Sequence, residues 1–205
     1  MNISIFGATG ATGQHLVKQA LSAGHKVTAL VRNASRLSLQ HDSLNTIEGD
    51  FDQPKAVLQA VQHADVVVSV LGIGKNGSAD VCTNGVRSIL AAMAVQKKRR
   101  LIVLSAYGAG ETQGASLSAR MIRRILAEKM RDKDEMETLI RASNIDWTIV
   151  RPPALTNGPL IGTTQSGVGL KIGFFAKLSR ADLAHFILRE AVGDHYIKQA
   201  PTVAS

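Results

Sequence analysis

Short apolar runs alternate with longer amphipathic stretches along the first half of the chain. Ile3 to Phe6 reads as a short buried strand, and Thr12 to Ala23 follows with Leu16, Val17, Ala20 and Leu21 on one helical face. Gly24 stands where glycine commonly ends a helix. Lys26 to Val31 (KVTALV) predicts a second strand and Thr46 to Glu48 a short third one. Pro54 opens the helix PKAVLQAVQ at its first turn. The β-branched run DVVVSVLG, from Asp65, has the character of a strand buried on both faces. A helix from about Asp80 to Lys97 then leads to another such strand, RLIVLSA, from Arg100. This rhythm predicts an α/β fold with a doubly wound parallel sheet and helices on both faces.

The second half has a different texture. Leu117 to Ala142 predicts a long helical region, with Leu117, Met121, Ile122, Ile125 and Leu126 on a side that must be buried. DWTIVRPP gives a strand from Asp146, stopped by Pro152 and Pro153. Ala154 to Gly169 reads as a glycine-rich polar loop, and a last helix runs from Ser179 to Ala191. Ser179 suits its N-cap, with Asp182 at N3 as a short version of the capping box. No repeat or linker interrupts the chain. Residues 1–205 are therefore expected to form one domain, with a cofactor half at about 1–110 and substrate-side loops and helices at about 111–205.

Composition narrows the function classes. Of 205 residues, 45% are hydrophobic and 20% charged, which is ordinary for a globular protein. No run approaches the ~20 apolar residues of a membrane span, and no secretion signal is visible. Cys82 is the single cysteine, which excludes an internal disulfide, disfavours a metal site and suits a cytoplasmic location. The net charge of +8 attracts anions and is densest at Lys97 to Arg100 and between Arg120 and Lys133. Aromatic residues amount to 4% and do not interleave with these clusters. That argues against nucleic acid and for an anionic small molecule.

The stretch FGATGATG supplies the chemistry. Gly7, Gly10 and Gly13 follow a strand and open a helix, the context in which glycines let backbone N–H groups approach a pyrophosphate. At the end of the second strand, where proteins preferring NAD carry an acidic residue, the sequence reads VRNASR. Arg32, Ser35 and Arg36 there suit a 2′-phosphate and favour NADPH over NADH. Asp50 and Phe51 follow the third strand as candidates for the adenine, Leu71 and Gly72 end the fourth, and Ser105 ends the fifth. Ligands of open α/β sheets bind beyond these carboxyl ends.

With IFGATGATG, VTALVRNASRL, EGDFD, SVLG, LSAYG and LIRASNIDWTIVRPP in order, the chain resembles the atypical short-chain dehydrogenase/reductases. It looks most similar to the group containing biliverdin-IXβ reductase/flavin reductase, with NmrA-like proteins nearby. The resemblance implies a Rossmann-fold monomer or small homo-oligomer and NADPH as hydride donor. It also implies an open site for flavin or linear tetrapyrrole. Gly7, Thr9, Gly10 and Thr12 match the pyrophosphate turn, Arg32, Ser35 and Arg36 the 2′-phosphate pocket, and Asp50 with Phe51 the adenine site. Leu71 and Gly72 match inner cofactor contacts, Ser105 the serine near the nicotinamide, and Pro152 with Pro153 the pair lining that site.

The chain departs from the ordinary Tyr-x-x-x-Lys pair. Lys133 is the candidate lysine, but Lys129 stands four residues before it, and Tyr107 has Glu111 at i+4. Ala154 occupies the place of a histidine that follows Pro-Pro in the reductase group. A flavin, tetrapyrrole or quinone acceptor fits this absence, because alignment of two rings does not need a tyrosine acid. A cofactor-binding redox sensor fits it too. Ser105 would orient the nicotinamide or acceptor, or else cap the sheet; Lys133 would meet an anionic group of the acceptor, or else stand solvated. Trp147 is expected in the core.

Overall fold

The computed structural model describes residues 1–74, 78–114, 120, 123–173 and 175–205. Six parallel strands form the central sheet: β1 (Asn2–Phe6), β2 (Lys26–Val31), β3 (Leu44–Glu48), β4 (Val66–Ser69), β5 (Arg100–Leu104) and β6 (Asp146–Val150). Their order is β3-β2-β1-β4-β5-β6, so the chain reverses its winding direction between β1 and β4. That reversal opens a crevice at the carboxyl ends of the strands. β4 and β5 are buried along their whole length, as their uninterrupted apolar sequences require, whereas edge strand β3 is mostly exposed.

Helices cover both faces. α1 (Ala11–Ser22) and α5 (Arg180–Gly193) pack on one face, against Ile3, Ile5, Val66 and Val68. α2 (Pro54–Val61), α3 (Val81–Val95) and α4 (Ala127–Ala142) cover the other, against Phe6, Val67, Leu101 and Ile149. Alternate residues of each strand thus belong to opposite cores, the period of two that a sheet imposes. Gly24 has a φ of +79°, the left-handed conformation expected just beyond α1. Trp147 is buried in the second core, with the Arg141 guanidinium 5.0 Å from its ring centroid. The fold class inferred from the sequence is the one observed.

Three expectations need correction. Ala154 to Gly169 is not all loop: β7 (Ala154–Thr156) pairs in parallel with β9 (Lys177–Ser179), and β8 (Gln165–Gly167) pairs antiparallel with β10 (Thr202–Ala204). Three-residue strands carry no measurable periodicity. Next, Ile125 is 73% exposed and Leu126 37% exposed, so these two do not belong to a buried helical side. A turn at Leu126 breaks the helical phase before α4 begins, while Leu117, Met121 and Ile122 lie outside the described residues. Finally, Ser179 does cap α5, its Oγ accepting from Asp182 N at 2.9 Å, but Asp182 does not complete a capping box. Its carboxylate accepts the Ser179 hydroxyl (2.6 Å) through one oxygen and the N–H groups of Ile161 (2.9 Å) and Gly162 (2.8 Å) through the other, tying the loop to the helix.

Candidate functional site

The glycine turn lies at the winding reversal. Gly7 has a φ of +87°, and a Cβ there would stand 2.9 Å from the Val70 carbonyl oxygen at the end of β4. A Cβ on Gly13 would stand 2.1 Å from Gly7 O, so the helix can lie against the turn only if that residue is glycine. Gly10 is the N-cap of α1 and no side chain caps the helix, which leaves its first N–H groups free for a ligand. These are the features a pyrophosphate requires.

Beside the turn is a cleft of about 440 Å³, within the range of small-molecule sites. Of the residues singled out from the sequence, Gly10, Thr12, Leu71, Gly72, Ser105 and Lys133 line it. Val70, Ile73, Leu104, Met130 and Leu155 give it apolar walls, and Lys129 and Arg180 give it charge. Pro152 and Pro153 are not among the lining residues; Pro152 is buried beyond β6, where its carbonyl accepts from Tyr107 N at 2.8 Å. Ala154, in the place of the expected histidine, is exposed.

α4 organises the inner end of this cleft. Lys133 is buried, so the solvated reading of it fails. Its Nζ donates to the carbonyl oxygens of Leu71 (3.1 Å) and Leu104 (2.6 Å), joining the ends of β4 and β5. One turn later, Glu137 accepts the Ser105 hydroxyl proton at 2.6 Å and the Arg151 Nε–H at 3.0 Å. Arg151 Nη2 donates to both Glu137 and Glu111, and Arg141 reaches Glu111 at 2.7 Å. Burial alone would lower the Arg151 pKa, but its two carboxylate partners outweigh that and raise it. Burial would raise Glu111, yet hydrogen bonds from its own backbone and Arg151 bring it below the usual range. Asp132, next to Lys133, accepts the N–H groups of Cys82 (3.0 Å) and Thr83 (2.8 Å) at the start of α3.

The outer part of the predicted site lies two strands away. Arg32 and Arg36 are exposed, and neither guanidinium has an ion pair among the described residues. Asn33 shapes the turn that carries them: its Oδ1 accepts from Ser35 N (2.9 Å) and from the Ser35 hydroxyl (2.7 Å). Asp50 turns its carboxylate to the N–H of Phe51 at 2.8 Å, and the Phe51 ring packs against the second core. Thr9 O accepts from the Gln14 side chain at 3.1 Å.

Sequence reasoning missed Glu137, Arg151, Asp132 and Asn33. A signal for Glu137 was present. Met130, Lys133, Glu137 and Ile140 follow the helical spacing of a buried stripe, and two of the four are charged. A charge on a core-facing stripe signals a buried partner.

The profile of the family described as NAD(P)H-binding matches residues 7–192. Protein YwnB of Bacillus subtilis (strain 168), itself uncharacterised, is 26% identical over 215 residues, covering 100% of this chain and 99% of its own. Among solved structures, a short-chain dehydrogenase/reductase of Veillonella parvula in complex with NADP superposes with a TM-score of 0.85 at 22% identity, covering 100% of this chain and 94% of that one. The anaerobilin reductase ChuY of Escherichia coli O157:H7 gives 0.85 at 21% identity, with 99% and 96% covered. The sheet order and glycine turn agree with the atypical short-chain dehydrogenase/reductase resemblance, and the family match spans both halves of the chain: the protein belongs to the NAD(P)H-binding family.

Proposed function

We propose that the protein is an NADPH-dependent reductase whose acceptor is a flavin, a linear tetrapyrrole or a quinone-like ring. One observation carries this reading: among the described residues no tyrosine or histidine lines the cleft, and the Ser105 hydroxyl already donates to Glu137. Such a cleft can align two rings between apolar walls without the tyrosine acid that ketone reduction uses. NADPH, when bound, supplies the hydride, and an acceptor reduced at a ring atom can take its proton from solvent. Gly7, Thr9, Gly10, Thr12 and Gly13 hold the pyrophosphate. Arg32, Ser35 and Arg36 take the 2′-phosphate, while Asp50 and Phe51 border the adenine. Leu71, Gly72, Ser105, Pro152 and Pro153 belong to the nicotinamide end. Lys133 has a third ammonium N–H beyond the two donated to carbonyls, and that donor serves an anionic group of the acceptor. Residues 1–110 make the cofactor half, and 111–205 the acceptor side. The fold shared with an anaerobilin reductase keeps a bilin among the acceptors to be tried.

The test is NADPH oxidation by the purified protein with FMN as acceptor, NADH in parallel and a blank without protein. Turnover that prefers NADPH is expected. Tight NADPH binding without turnover above the blank, repeated with a quinone and a linear tetrapyrrole, would favour a cofactor-binding sensor instead.

A further inference from the structure

We propose that Glu137 fixes the polarity of Ser105, so that the hydroxyl meets a bound nicotinamide as a hydrogen-bond acceptor and selects an N–H donor, the carboxamide, at that point. This rests on the NAD(P)H reading of the cleft. A serine hydroxyl has one proton and two acceptor sites. The Ser105 hydroxyl donates to Glu137 Oε1, 2.6 Å away, while the residue itself lines the cleft.

The direction of that bond is set from behind. Glu137 also receives Nε and Nη2 of Arg151, a group that does not give up its proton. Both side chains are 2% exposed, so water does not compete for either. A Cβ at Gly110 would stand 2.1 Å from Arg151 Nη2 and 2.5 Å from Glu137 Oε2, so the pair packs against bare backbone there and fills the space of a side chain. Ser105 N is itself held by Val150 O at 2.8 Å, which fixes where the hydroxyl starts. The carboxylate therefore needs the Ser105 proton, and what the hydroxyl offers the cleft is its lone pairs. An N–H group completes that arrangement; a carbonyl oxygen in the same position would repel it. Glu137 touches no ligand and acts through Ser105, as a positioning residue.

The experiment compares the affinity of the full chain for NADP and for its 3-acetylpyridine analogue, by titration calorimetry. The analogue keeps the carbonyl and replaces the amide nitrogen with a methyl group. The wild type should prefer NADP about tenfold, the scale of one hydrogen bond. Ser105→Ala should reduce that preference by about the same factor. Glu137→Gln removes the charge that holds the Ser105 proton and leaves one amide oxygen for the three donors of Ser105 and Arg151, which loosens the hydroxyl and should likewise reduce it. A purely structural defect would weaken both ligands alike and leave the ratio unchanged. If Glu137→Gln fails to fold, Glu137→Asp, whose shorter side chain draws the carboxylate back from Ser105, takes its place, and an undiminished preference in the folded Glu137 variant overturns the assignment of polarity. Equal affinities in the wild type, or an undiminished preference in Ser105→Ala, overturn the proposal while leaving the cofactor reading intact. Failure of the wild type to bind NADP at all overturns both, and is a distinct result.

Discussion

Arg32 and Arg36 have no carboxylate partner among the described residues, whereas Arg151 lies between Glu111 and Glu137. A guanidinium without a partner is available to a ligand phosphate, at roughly 1.5–3 kcal/mol for each charge-assisted contact. Arg32→Ala or Arg36→Ala should therefore weaken NADPH binding by about tenfold or more and leave NADH nearly unchanged. Measured dissociation constants for the two cofactors check this. The same contrast explains what was legible in the sequence at this scale. The glycine turn and the arginines are local, each readable within a few residues. Glu137 and Arg151 come from different elements and meet only when α4 packs over β5 and β6. For Lys133 the sequence leaves a site role and a solvated one both open, because its partners, the carbonyl oxygens of Leu71 and Leu104, belong to distant strand ends.

Helix α5 depends on a carboxylate that works outward from it. Burial would raise the Asp182 pKa, but donors from Ser179, Gly162 and Ile161 outweigh burial and hold the carboxyl below its ordinary value of 3.8. A carboxyl depressed by folding contributes stability that is fully present above its unfolded pKa and lost as pH falls through the folded one. Asp182→Asn should thus lose about 2 kcal/mol near neutral pH. The difference from wild type should shrink as the pH falls below about 4. Urea denaturation at several pH values reads both effects. The helix itself was visible in the sequence because Ser179 and the apolar spacing are strong signals. Its bond to the loop was not, because Asp182 pairs with residues 20 and 21 positions away. β7 to β10 escaped notice for another reason: each has three residues, and their pairing is decided by the packed core rather than by a pattern of their own.

Across the whole molecule, buried charge is divided between the two ends of the sheet. At the end opposite the cleft, Arg100 bonds Glu190 at 2.9 Å and also contacts Asp194 and Thr148, joining β5 to α5. Glu190 is 1% exposed in its side chain and cannot recover water if its partner is removed. Arg100→Met should cost about 3–5 kcal/mol and lower the melting temperature by about 10 °C. NADP affinity below that temperature should be unchanged, because Arg100 lies away from the cleft. At the cleft end the arrangement has a different result. Two helices begin after the central strands, α1 after β1 and α3 after β4, on either side of the winding reversal. Asp132 already fills the first turn of α3 with a carboxylate, while α1 opens without one. The pair is therefore asymmetric toward a diphosphate: one seat attracts it, and the other is occupied by a charge of the same sign. A dinucleotide laid across the crevice would thus have a single place for its anionic middle, and only what lies beyond β2 and beyond β5 could decide which end points which way.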